Sequence, residues 1–83
     1  MKTFRVRVQV KFKEGILDPQ AEAISQALQS LEFSGVIKVE CEKAFLVHLN
    51  AENEKDAISQ GRKMAQDLLA NLVMENFEVE IVT

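Results

Sequence analysis

His48 and Cys41 are the lone histidine and the lone cysteine of the 83-residue chain, and they are the side chains best suited to base or nucleophile chemistry. Covalent catalysis needs a Ser or Cys within hydrogen-bond reach of a base. The alternating pattern around them places His48 on a strand, on the face opposite Phe45 and Val47, while Cys41 is expected to point into the core. The two therefore diverge. Glu40 with Glu42, and Glu78 with Glu80, are carboxylate pairs at strand spacing. Such pairs could divide acid and base roles, but alternating acids on a strand ordinarily form a solvated face. Gly15, Gly35 and Gly61 are too far apart for a phosphate-cradling loop or a dinucleotide fingerprint. One cysteine cannot form an internal disulfide, and one histidine without a cysteine cluster does not supply a structural zinc site. By itself the chain does not look like an enzyme.

Nucleic-acid binding is also poorly supported. The stretch Lys43-Ala44-Phe45-Leu46-Val47-His48-Leu49 sits where RNA-binding domains of related topology carry stacking aromatics. It offers one aromatic, Phe45, where stacking needs two or three. The net charge is −3, whereas nucleic-acid binders show a basic balance.

The elements that position these residues follow from the hydrophobic rhythm. Phe4, Val6, Val8, Val10 and Phe12 alternate with Arg5, Arg7, Gln9 and Lys11, a period of two that marks a first strand with one dry face. Gly15 interrupts it. Asp18-Pro19 then reads as a helix start, with Asp18 as N-cap and Pro19 at the first helical position. Ala23, Ile24, Ala27, Leu28 and Leu31 form its apolar stripe, and the helix is expected to end near Glu32–Ser34 with Gly35 in the turn. A second strand is expected over 36–42, with Ile37, Val39 and Cys41 on one face, and a tight Glu42-Lys43 connection leads to a third over 44–49. Leu46 is apolar on the face that should be wet, a sign that the open sheet face is partly covered by another chain. Asn50 or Asn53 caps a second helix whose stripe is Ala57, Ile58, Gly61, Met64, Ala65, Leu68 and Leu69, with Asn71 closing it in a left-handed conformation. Phe77, Val79 and Ile81 give the last strand. The order β-α-β-β-α-β predicts one α+β domain over residues 1–83: a four-stranded antiparallel sheet with two helices on one face, ferredoxin-like, with segments exchanged between chains as a variant.

A chain this short buries only about two-thirds of its unfolded surface. Without disulfide or zinc, self-association is the support to expect. Arginines at positions 5 and 7 break any signal-peptide core, and no apolar run reaches the roughly 20 residues that span a bilayer. A cytoplasmic setting without membrane contact is expected. Lys2, Arg5, Arg7, Lys11 and Lys13 crowd the first 13 positions, while Glu75, Glu78 and Glu80 lie near the end. If first and last strands pair, Arg5 and Arg7 can face Glu78 and Glu80 across the ladder.

Small regulatory domains that bind amino acids share this order of elements and often place a glycine turn after strand one, where Gly15-Ile16-Leu17 stands. That reading is the alternative, and it rests on fold analogy. A closer resemblance lies in Lys13-Glu14-Gly15-Ile16-Leu17-Asp18-Pro19-Gln20. Joined with Ala27-Leu28-Gln29-Ser30-Leu31-Glu32-Phe33, Val36-Ile37-Lys38-Val39 and Leu68-Leu69-Ala70-Asn71-Leu72-Val73, it resembles the PurS subunit family of phosphoribosylformylglycinamidine synthase. The pattern covers nearly the whole chain. It departs at Ala21 and Glu32, where the family usually has glycine, at Glu40 and Glu42, where an Arg and a Gly commonly precede the retained Lys43, and at Leu72, usually proline.

The resemblance implies a non-catalytic small subunit in purine biosynthesis. It would self-associate as a dimer or tetramer and join an ATP-dependent synthetase (PurL-type) to a glutaminase (PurQ-type), aiding ammonia transfer. ATP, magnesium and glutamine would be used by the complex, with no cofactor held by this chain. Gly15, Ile16, Leu17, Lys43, Leu46 and His48 are the candidate partner-interface residues, with Ile16 and Leu17 expected to pack inward.

Overall fold

The alternation of valines with polar residues in β1 (Lys2–Phe12) does what a period of two requires: Val6, Val8 and Val10 are fully buried. In the computed structural model, which describes residues 1–82, β1 is the centre of a three-stranded antiparallel sheet. Its neighbours are β2 (Glu42–Ala51) and β3 (Glu75–Val82), in the order β2-β1-β3. Val8 lies opposite Phe45 on one side and Val79 on the other. Between them come α1 (Pro19–Ser30) and α2 (Glu54–Met64), so the order is β-α-β-α-β.

The expected fourth strand is corrected. Among the described residues, 36–41 pair with no strand, and β2 follows them without a hairpin at Glu42-Lys43. The reason is local. A two-residue hairpin wants residues such as Asn-Gly or Asp-Gly that accept positive φ, and Glu-Lys provides none. Lys11 opposite Glu42 is the last β1–β2 pair, so residues 36–41 lie beyond the paired stretch of β2.

α2 packs across all three strands. Asn53 caps it, accepting the Asp56 N–H at 2.8 Å. Ala57 and Ala65 are fully buried among Val6, Val8, Val10 and Ala51. Gly61 is where α2 comes closest to the sheet: a Cβ there would meet Val6 Cγ1 and Val79 Cγ1 at 2.9 Å. The helix then widens into a π-helical turn, Ala65–Leu69, closed by the Ala70 N–H on the Ala65 carbonyl at 2.9 Å. The extra residue rotates the stripe. Leu69 stays against the core, while Leu68, expected in the stripe, is 82% exposed. Asn71 does not take the expected left-handed conformation. Among the described residues the non-glycine with positive φ is Glu32, at 72°.

The second correction concerns α1. It was expected on the same sheet face as α2, yet it makes no substantial packing with the sheet or with α2. Asp18 caps it as anticipated, accepting the N–H groups of Gln20 (3.0 Å) and Ala21 (3.3 Å), but the stripe is left open: Ile24 and Leu31 are exposed. α1 and residues 36–41 form an arm beyond the end of the sheet. The chain measures 52 × 27 × 14 Å, with a radius of gyration of 16.4 Å. A compact chain of this length would have about 12 Å.

Candidate partner-binding surfaces

The junction between β1 and α1 is built from a turn and a cap. Ile16 N–H donates to the Lys13 carbonyl at 3.2 Å, and Gly15 takes φ +87°, a value that suits the third residue of a type II turn and favours glycine. Ile16 and Leu17 do not pack inward as expected. Leu17 is 74% exposed and Ile16 is partly so. Behind them a groove of about 530 Å³ separates the end of the sheet from the arm, with Lys13, Leu17, Gln29, Val39 and Cys41 among its walls. Cys41 is a free, half-buried thiol lining this groove, not a core residue.

Lys43 belongs to a different surface. It lies opposite Val10 on the helix-side face of the sheet and reaches over the central strand to Glu75 Oε2 at 3.5 Å. The Glu75 side chain is only 12% exposed. Its other oxygen accepts the Asn71 N–H at 2.8 Å. Asn71 Oδ1 in turn accepts the Val73 N–H at 3.1 Å, and Lys13 N–H donates to the Met74 carbonyl at 2.8 Å. Lys43 thereby helps to hold the 71–74 loop beside the Lys13 end of β1, and this loop presents Val73 outward. Sequence reasoning did not single out Glu75 for this tie.

Leu46 and His48 occupy the face turned away from α2. They lie opposite Arg7 and Arg5 respectively, and both are exposed. On the same face Arg7 donates to Glu80 Oε1 at 2.9 Å, the expected cross-strand pair. The remaining expected pairings differ: Arg5 stands opposite Val82, and Glu78 opposite Gln9. The six candidate interface residues thus fall on three surfaces: the junction, the helix-side end of the sheet and the open face.

The arm carries apolar residues outside the candidate set. Phe33 and Leu31 are more than half exposed, and Ile37 is 94% exposed. The signal was present in the stripe of α1 and in Ile37-Val39-Cys41, but it was assigned to the chain's own core. Lys38 and Glu40 point to one side of this segment and meet at 3.0 Å. The hydrogen bond from Lys38, then its charge, holds the Glu40 carboxyl below its ordinary 4.5, and the same contact raises Lys38 above 10.5. Among the described residues no cluster of three or more His, Cys, Asp or Glu side chains could hold a metal ion, and no helix is long and apolar enough to cross a membrane.

Comparison with known proteins gives one family throughout. The family model described as PurS, phosphoribosylformylglycinamidine (FGAM) synthase, matches residues 5–83. The subunit PurS of Archaeoglobus fulgidus is 35% identical over 72 residues, covering 87% of this chain and 90% of the relative. The crystal structure of Methanocaldococcus jannaschii PurS, one of the subunits of formylglycinamide ribonucleotide amidotransferase, superposes with a TM-score of 0.87 at 30% identity, covering 96% of each chain. A chain in the structure of PurLQS from Thermotoga maritima gives a TM-score of 0.90 at 28% identity, covering 99% of this chain and 100% of that one. The backbone and the sequence therefore agree over nearly the full length, and the chain belongs to the PurS family of phosphoribosylformylglycinamidine synthase.

Proposed function

We infer that this chain is the small, non-catalytic subunit of a phosphoribosylformylglycinamidine synthase complex in purine biosynthesis, working as a single PurS-like domain over residues 1–83. It bridges an ATP-dependent synthetase subunit and a glutaminase subunit and helps ammonia pass from one to the other. ATP, magnesium and glutamine are used by the complex. The observation that carries this reading is the near full-length match to PurS chains, one of them in PurLQS. ATP-dependent purine synthesis is work of the cytoplasm, and that is the location we assign.

Self-association completes the fold in this reading. The arm exposes Leu31, Phe33 and Ile37, and burial of apolar area stabilises at about 25 cal/mol per Å². A second copy that covers α1 and pairs with residues 36–41 supplies the missing fourth strand between chains, giving a dimer or a tetramer. Leu17 and the 71–74 loop at the junction, with Lys43 holding that loop, form one partner-facing surface. Leu46 and His48 on the open face form another. Exposed Leu17 beside Gly15 and Ile16 favours this over the reading as an amino-acid-binding regulatory domain, which needs an enclosed pocket rather than an apolar knob.

The test is co-elution of this chain with the synthetase and glutaminase from the same source, measured by size exclusion with light scattering in the presence of glutamine, ATP and magnesium. A ternary assembly containing at least two copies of this chain is expected. A monomer at tens of micromolar that joins neither protein would overturn the reading.

A further inference from the structure

The Glu75 carboxylate is far more covered than those of Glu80, Glu40 and Asp67 in the other ion pairs, and its contacts converge on one short loop. One oxygen accepts the Asn71 N–H and the other meets Lys43 Nζ. The Asn71 carbonyl accepts the N–H groups of Met74 at 3.0 Å and of Glu75 at 2.7 Å. The Asn71 side chain accepts the Val73 N–H, and the Met74 carbonyl accepts the Lys13 N–H. The 71–74 loop is thus closed on itself at Asn71 and fastened to the end of β1.

What this fastened loop presents is apolar. Val73 is 82% exposed, Leu72 and Met74 are partly exposed, and Leu68 stands exposed just before them. A loop already ordered loses little conformational freedom on binding, and an apolar centre with a polar rim is the anatomy of a protein interface. The rim charge here is cationic. Glu75 is covered and occupied, whereas Lys43 is half exposed and has ammonium donors left beyond its single 3.5 Å contact. An apolar socket with a carboxylate at its edge is the surface that complements it. Of the two partner subunits, the synthetase must receive ammonia at a fixed entrance, which is the contact that needs a preformed geometry.

We propose that the 71–74 loop is a preformed apolar plug for an acid-rimmed socket on the synthetase subunit, and that Glu75 is the positioning residue that sets its shape. The inference rests on the bridging role proposed above and names one of its contacts. Val73 and Leu72 enter the socket, and Lys43 does two things: it holds Glu75 in place and turns its remaining donors to the rim. Glu75 itself is too covered to meet the partner, so it acts through the loop.

A double-mutant cycle on the full chain, read as affinity for the purified synthetase and separately for the glutaminase, tests this. V73S changes only an exposed side chain and should weaken synthetase binding about tenfold. E75A should weaken it about as much and speed hydrogen exchange at residues 71–74, which V73S should not. Because both act through one plug, E75A/V73S should bind no more than about twofold more weakly than either single variant. K43M should also weaken binding and reduce its salt dependence, with K43R restoring both. Additive losses would show that Glu75 does not act through the loop, and the proposal fails. It fails equally if V73S and E75A bind the synthetase as the wild type does, or if they lose affinity for the glutaminase or for a second copy instead. In those cases wild-type binding to the synthetase leaves the bridging role standing. If the wild type binds neither subunit, both fall.

Discussion

Glu32 holds the left-handed position that ends α1. Its N–H donates to the Gln29 carbonyl at 3.1 Å, and the Phe33 N–H donates to the Leu28 carbonyl at 3.1 Å. These are the two bonds of a Schellman end, whose left-handed residue is usually glycine. A side chain at positive φ costs about 1–2 kcal/mol, so Glu32→Gly should stabilise the protein by about 1 kcal/mol in urea titrations. An unchanged midpoint would mean that the glutamate is compensated elsewhere. The departure from glycine was legible in the sequence, but its φ was not, because Gly35 offered an equally plausible turn. Glu40 permits a second measurement. Its folded pKa is lowered by Lys38, so its favourable contribution is complete above the unfolded value and is lost as pH falls through the folded one. A carboxyl-carbon NMR titration should place its midpoint below 4.5, and Lys38→Ala should bring it back towards that value.

At the scale of elements, β1, both caps and the last strand were legible because each rests on local signals: strict alternation, Asp18-Pro19, Asn53 and the Phe77-Val79-Ile81 repeat. Two errors came from treating apolar periodicity as proof of burial in the same chain. Ile37-Val39-Cys41 alternates as a paired strand would, and Ala23 to Leu31 repeats as a packed helix would, yet neither packs substantially on the sheet of the same chain. Leu68 was misplaced for a different reason, since the π-helical turn adds a residue that periodicity cannot foresee. Where α2 does pack, the fit is tight. Gly61→Ala would push a methyl to 2.9 Å from Val6 and Val79. An overpacked core of this kind costs about 1–3 kcal/mol, measurable as a lower urea midpoint. An unaffected midpoint would show that α2 can slide outward freely.

At the scale of the molecule, the elongated shape and the open arm describe a subunit rather than a self-sufficient domain. The sheet with α2 has a core of its own in Val6, Val8, Val10, Ala57 and Ala65. The arm does not, and its apolar residues Leu31, Phe33 and Ile37 are exposed. The six candidate interface residues do not share one surface, and this was not legible in the sequence: strand parity separates Lys43 from Leu46 and His48, while the junction stands at the sheet end. Family pattern, more than periodicity, carried the function. The scaffold role is tested most directly by reconstituting amidine formation from formylglycinamide ribonucleotide, with purified synthetase and glutaminase, in the presence and absence of this chain. Omission is expected to abolish the glutamine-dependent reaction while leaving the reaction supplied with free ammonia, and equal glutamine-dependent rates with and without the chain would contradict the account.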